Sequence, residues 1–116
     1  MNAQTNTISW DDFEKVDLRA GTIVEAREFP QARKPAYILT VDFGETVGIR
    51  TSSAQITDLY TREELVGKTV IAVVNLPPKQ IGPVRSECLI TGFHNEEGAV
   101  VLAVPEQKIH NGARLA

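Results

Sequence analysis

One cysteine, Cys88, leaves this chain without an intrachain disulfide. It sits in the apolar run Cys88-Leu89-Ile90 and reads as a small buried hydrophobe, not a reactive thiol. Histidine is almost as scarce. His94 and His110 lie too far apart for metal-ligand spacing, so no metal is expected, nor any other cofactor. Neither histidine has a nucleophile at a motif spacing. Ser52 and Ser53 lack the flanking glycines of a nucleophile elbow, and the glycine-rich phosphate-binding patterns are missing. No catalytic step is therefore expected. Long apolar runs are absent too. Val70–Val74 and Ala99–Val104 fall far short of the roughly 20 residues that cross a bilayer, so no membrane insertion is expected. The opening "MNAQTNTISW" has no basic region followed by an apolar stretch, and a cytoplasmic location is the default expectation.

Excess positive charge is also lacking. The formal net charge is −3, where a general nucleic-acid binder is strongly basic. The charge is uneven, however. Asp11, Asp12, Glu14, Asp17, Glu25 and Glu28 make the first 30 residues acidic. Residues 31–56 carry Arg33, Lys34 and Arg50 against Asp42 and Glu45, and residues 68–95 carry Lys68, Lys79 and Arg85 against Glu87. Two mildly basic segments form one patch only if the fold joins them; otherwise they are solvated loop charges.

What is present is an ordinary globular composition, 42% hydrophobic and 23% charged over 116 residues. That length suits one domain, residues 1–116, with a core needing no staples. Ser9 followed by Asp11 and Asp12 predicts a short capped helix, with Trp10 and Phe13 on one face that must pack on something. Residues 16–26 alternate apolar and polar, which predicts a long strand, and Gly21 in its middle predicts a bulge or bend. "AYILTVDFG" is a second strand with Tyr37, Leu39, Val41 and Phe43 on one face. The turn "GETVG" leads to a third, "VGIRTSSAQI".

Thr61, with Glu64 three residues on and Gly67 beyond, predicts a short capped helix. "TVIAVVNL" is an apolar fourth strand. "PPKQIGPVRSE" reads as a stiff loop into a fifth strand from Cys88, and "FHNEEGAVVLAVP" as a turn and one more strand. The remaining tail has Ile109 and Leu115 as apolar anchors. Phe93, like Tyr37 and Phe43, is expected in the core.

Three strands, a helix and two strands is the order of a five-stranded OB-fold barrel, mainly β, here with an N-terminal helix and a C-terminal strand and tail added. All-β sandwiches compete, but the single helix after the third strand favours the barrel. Such barrels bind ligands on the second and third strands and in adjoining loops. There this chain has Arg33, Lys34, Arg50, Ser52, Ser53, Asn75, Lys79, Arg85 and Ser86, cations for phosphates and small polar groups for bases or sugars. Singly, each has a plainer reading. Arg50 is an edge-strand charge, and Asn75 a turn former. Their convergence on one region of the fold carries the functional reading.

The segments "VDLRAGTIVEAREFPQARKPAYILTVDFG", "IRTSSAQI", "VVNLPPKQIGPVRSECLITGF" and "VLAVPEQKIHNGARL" closely resemble the CsaA type of the tRNA-binding OB domains. The wider family includes domains attached to methionyl- and phenylalanyl-tRNA synthetases. The resemblance spans about residues 10–115 and implies a symmetric homodimer made by the extensions, residues 8–15 and 99–116. It implies a chaperone-like partner for unfolded, exported precursor proteins, with tRNA as a further partner. The family's basic and polar positions fall on the same nine residues, from Arg33 to Ser86. Trp10, Phe13, Val100, Leu102 and Val104 lie outside the barrel in this reading and supply the dimer surface. Two departures stand out. Phe29-Pro30 replaces a His-Pro pair, and "SECL" puts Glu87 where RNA lies, which opposes tight tRNA binding.

Overall fold

In the computed structural model, which describes residues 6–116, the long alternating segment is the spine of the fold. Strand β1 (Leu18–Glu28) pairs antiparallel with β2 (Tyr37–Asp42) and with β4 (Thr69–Val73). Strand β3 (Ile49–Ala54) adds to β2, and β7 (Leu89–Ile90) adds to β4. The five strands run in the order β3-β2-β1-β4-β7. The sheet curls until its two ends meet. The Glu87 N–H donates to the Thr51 carbonyl at 2.7 Å, and the Ser53 N–H donates to Ser86 Oγ at 3.1 Å. This is the OB-fold barrel, with helix α3 (Arg62–Leu65) between β3 and β4.

Helix α3 has the reciprocal cap its sequence predicts. Thr61 N–H donates to Glu64 Oε1 at 2.8 Å and Glu64 N–H to Thr61 Oγ1 at 3.2 Å. Those same bonds hold the Glu64 carboxyl below its usual range. The helix drops Leu65 into the core beside Ile23, Leu39, Val41, Phe43 and Val70. Phe43 and Tyr37 are buried as their strand pattern implies. "GETV" closes into one helical turn, α2 (Gly44–Val47), between β2 and β3.

The irregularity in β1 lies elsewhere than at Gly21. The β1–β2 register slips between Ile23 and Glu25, so Val24 is exposed and Ile23 fully buried. Gly21 answers to packing instead. A Cβ there would lie 2.6 Å from the Phe43 ring and 2.8 Å from Val41. Strand periodicity cannot separate these causes, because both call for a small residue.

Helix α1 (Trp10–Glu14) has the predicted Ser9–Asp12 capping box. Its aromatic face is not buried within the chain, since Trp10 is 86% exposed and Phe13 half-buried. Polar contacts hold it. The Asp17 N–H donates to Asn75 Oδ1 at 3.0 Å and Asn75 Nδ2 donates to the Lys15 carbonyl at 2.7 Å. From the tail, Arg114 Nη2 donates to the Glu14 carbonyl at 2.6 Å.

The tail is likewise not anchored by Ile109 and Leu115, which are both exposed. Its main chain runs beside β1, with Gly112 N–H on the Ala20 carbonyl at 2.8 Å and Leu115 N–H on the Leu18 carbonyl at 2.9 Å. The Thr22 hydroxyl donates to Asn111 Oδ1, and Arg19 donates to the Gly112 carbonyl. Before the tail, β8 (Gly92–His94) and β9 (Val100–Leu102) form a hairpin in place of a lone strand. Leu102 points inward, 6% exposed, and its N–H donates to the Tyr60 hydroxyl at 3.0 Å. Leu102 is therefore core, not free surface, and Val100 packs partly against the same core. Phe93, expected inside, is 68% exposed opposite Val101 on the hairpin's outer side. Among the described residues no helix is long and apolar enough to cross a membrane.

Candidate binding face

Pro77 and Pro78 end β4's run, as proline cannot feed a ladder. The next segment is a hairpin, not a loop: β5 (Lys79–Ile81) pairs with β6 (Val84–Ser86), turning at Gly82 with φ +55°. Ile81 and Val84 face each other across this hairpin and pack on Phe29, Ala36 and Ile38. Those last residues flank the β1–β2 loop, and Ala32 within that loop joins the cluster. A second, small core thus clamps the loop carrying Arg33 and Lys34 to the hairpin carrying Lys79 and Arg85. The two mildly basic segments become one patch. All four cations are exposed, and none forms an ion pair with the described residues.

The other predicted contact residues are engaged by the fold, except that half-buried Ser53 is held by its main-chain amide and not by its hydroxyl. Arg50 is half-buried, its Nη1 donating to the Val74 carbonyl at 3.1 Å and the Glu87 carbonyl at 3.3 Å. Ser52 is 2% exposed and faces inward, out of reach of any RNA. Asn75 pins α1, and Ser86 Oγ accepts the Ser53 amide. Glu87, read from the sequence as a charge lying under RNA, uses its carboxylate within the barrel. Oε1 accepts the Thr51 N–H at 3.0 Å.

Beside the patch, the barrel seam opens into a groove of about 450 Å³. Ser53 to Ile56 form one wall and Ser86 to Ile90 the other, with Leu76, Lys79, Ile81 and Val100 around them. The size falls within the roughly 300–1,000 Å³ typical of ligand sites. Leu76 and Leu89 at its edge are about half exposed. Sequence reasoning missed this groove; its one legible sign was apolar residues placed at strand ends beside prolines. Cys88 lies in the wall, buried, and burial pushes its thiol up to about 11, more than the nearby Arg50 pulls it down. It stays a neutral thiol at physiological pH. Among the described residues no cluster of three or more His, Cys, Asp or Glu is placed to hold a metal.

Comparison with known proteins fits this geometry. The family described as "Putative tRNA binding domain" matches residues 18–114, most of the chain. The chain belongs to that family. It is similar to the crystal structure of the CsaA chaperone protein from Picrophilus torridus, 44% identical, covering 95% of this chain and 100% of that one with a TM-score of 0.89. It is also similar to a MetRS related protein from Pyrococcus horikoshii, 32% identical, covering 96% and 99% with a TM-score of 0.84. Among curated relatives, a methionine–tRNA ligase from Flavobacterium johnsoniae is 37% identical over 110 residues, which are 95% of this chain and 15% of the ligase. This tRNA-binding domain therefore spans a small fraction of that ligase and matches no more than one domain's length of it.

Proposed function

We propose that this protein is a non-catalytic binding protein of chaperone type, which holds unfolded segments of precursor proteins awaiting export and acts as a homodimer in the cytoplasm. The groove carries this reading. It is largely apolar, it is open, and exposed Leu76 and Leu89 edge it. Such surface captures unfolded chain by removing apolar side chains from water. The likeness to the Picrophilus torridus chaperone supports it. For the dimer, Trp10 on α1 and Phe93 on the β8–β9 hairpin are large apolar groups left in solvent, as is Val104. An aggregation assay tests the chaperone reading. Substoichiometric protein should suppress light scattering by a chemically unfolded client, and Leu89→Asp should abolish that suppression. Scattering unchanged by the wild-type protein would remove the proposal.

A second reading rests on a separate observation, the clamp that gathers Arg33, Lys34, Lys79 and Arg85. Four free cations on two adjoining segments suit a phosphate backbone, and the family match supports tRNA as the ligand. Thin aromatic supply argues for backbone contact over base stacking, because Tyr37 and Phe43 are buried and only Phe93 of the three is exposed. Filter binding of tRNA at rising salt tests it, since phosphate contacts predict a steep loss of affinity as salt increases.

A further inference from the structure

We propose that the groove takes its polypeptide as an added β-strand, recognised mainly through main-chain hydrogen bonds. This inference rests on the polypeptide-binding reading and specifies the form its ligand takes.

The register shows which backbone groups are free. Phe43 N–H donates to the Gly48 carbonyl, and the β2–β3 ladder continues from it. In an antiparallel ladder, bonded and outward-facing residues alternate. Hence Arg50, Ser52 and Ala54 bond toward β2, while Thr51, Ser53 and Gln55 turn toward the seam. Glu87 satisfies both Thr51 groups, and Ser86 takes the Ser53 N–H. Beyond that point the seam parts. The Gln55 N–H has no partner among the described residues, and the Ser53 carbonyl has only a 3.4 Å contact from the Ser52 hydroxyl.

The opposite wall repeats the situation. Thr91 N–H donates to the Ile71 carbonyl, and Ala72↔Ile90 and Val73↔Leu89 follow in the same ladder. Ile90 therefore turns its N–H and carbonyl away from β4, toward the groove. Each neighbouring pair around the sheet is antiparallel, so β3 and β7 run the same way. An extended chain can add antiparallel to one of these walls, not to both: Cα atoms of β3 and β7 come within 8 Å of each other, less than the roughly 9.5 Å that a strand bonded on both sides needs. An exposed edge of unpaired backbone groups is a template for such addition.

The surroundings fix the ligand's chemistry. Alternate side chains of the added strand would meet Ala54, Ile56, Cys88 and Val100, which asks for apolar residues at every second position. Lys79 is the one Lys or Arg among the described residues lining the groove; Arg85, paired opposite Gln80, projects from the other face of the hairpin. The one acid in the lining, Glu87, is engaged with Thr51. The rim thus complements carboxylates, and the segment should be extended, apolar at alternating positions, free of proline and flanked by acidic residues.

The test alters the peptide and leaves the protein intact. Fluorescein-labelled peptides of alternating Val and Ser with Asp at both ends are titrated with the full-length protein and followed by anisotropy. Three forms are compared: unmodified, N-methylated at the amides of even positions, and N-methylated at the amides of odd positions. Main-chain recognition predicts at least a ten-fold weaker affinity for one methylated form and little change for the other. Equal affinities for all three forms would overturn the strand-addition proposal and leave polypeptide binding standing. An unmodified peptide that fails to bind would overturn both.

Discussion

Glu87 holds Thr51 at both of its main-chain groups: its amide donates to the Thr51 carbonyl at 2.7 Å and its carboxylate accepts the Thr51 amide at 3.0 Å. A side chain here completes a ladder that main chain alone leaves unfinished. Glu87→Ala should strand the half-buried Thr51 N–H and lower stability by about 1–3 kcal/mol. Glu87→Gln keeps an acceptor and should cost much less. Urea midpoints of the three proteins read the difference, and equal losses for both variants would refute the arrangement.

The four free cations make the opposite kind of prediction. Lys79→Ala and Arg85→Ala remove exposed side chains with no described partner, so stability should stay within about 0.5 kcal/mol. If tRNA binds this face, each change should weaken binding and make the plot of log affinity against log salt shallower by about one. Arg50→Ala should behave otherwise, destabilising the fold through its lost bonds to Val74 and Glu87. Salt-insensitive binding would remove the RNA reading.

Gly21 offers a test of packing. A methyl group there would press on the Phe43 ring, at the centre of the core. Gly21→Ala should cost about 1–3 kcal/mol by overpacking. Gly21→Ala combined with Phe43→Leu should recover part of that loss. Thermal melts of the single and double variants measure it, and a harmless Gly21→Ala would contradict the close approach.

Asp17 sets an acid-side limit on stability. The bond from Arg19, 2.6 Å from Nε to Oδ1, holds its carboxyl below the ordinary 3.8, with Arg114 adding to the effect. A carboxyl lowered on folding stabilises the protein above its ordinary value, and that contribution is lost as pH falls through the folded value. Melting temperature should therefore drop below about pH 4, and Asp17→Asn should lower it at neutral pH while flattening the acid limb. A parallel acid limb in the variant would show that Asp17 plays no part.

For the homodimer, Trp10 is the sharpest probe, because it touches so little of its own chain. Sedimentation at micromolar concentration should give a dimer for the wild type, shifting toward monomer in Trp10→Ala with Phe13→Ala. A monomeric wild type would end the proposal. The same experiment on Leu102→Ala separates the two faces of the hairpin. That change opens the monomer core, so it should appear first as lost stability.

The sequence by itself determined the elements whose causes are local. Capping boxes at Ser9 and Thr61, the shared buried face of Tyr37, Leu39 and Val41 along β2 and the stop at Gly67 depend on residues two to four apart, and each is present. The barrel order and the buried Cys88 were legible for the same reason. Tertiary structure alone decided which polar residues are free to bind. Ser52, Arg50 and Asn75 look available in the sequence, yet each is engaged by a segment far along the chain or turned inward. The basic patch likewise exists only because Ile81 and Val84 meet Phe29 and Ile38. Hydrogen-bond partners and apolar contacts at such separations are set when the sheet closes on itself, and no short window of sequence carries that information.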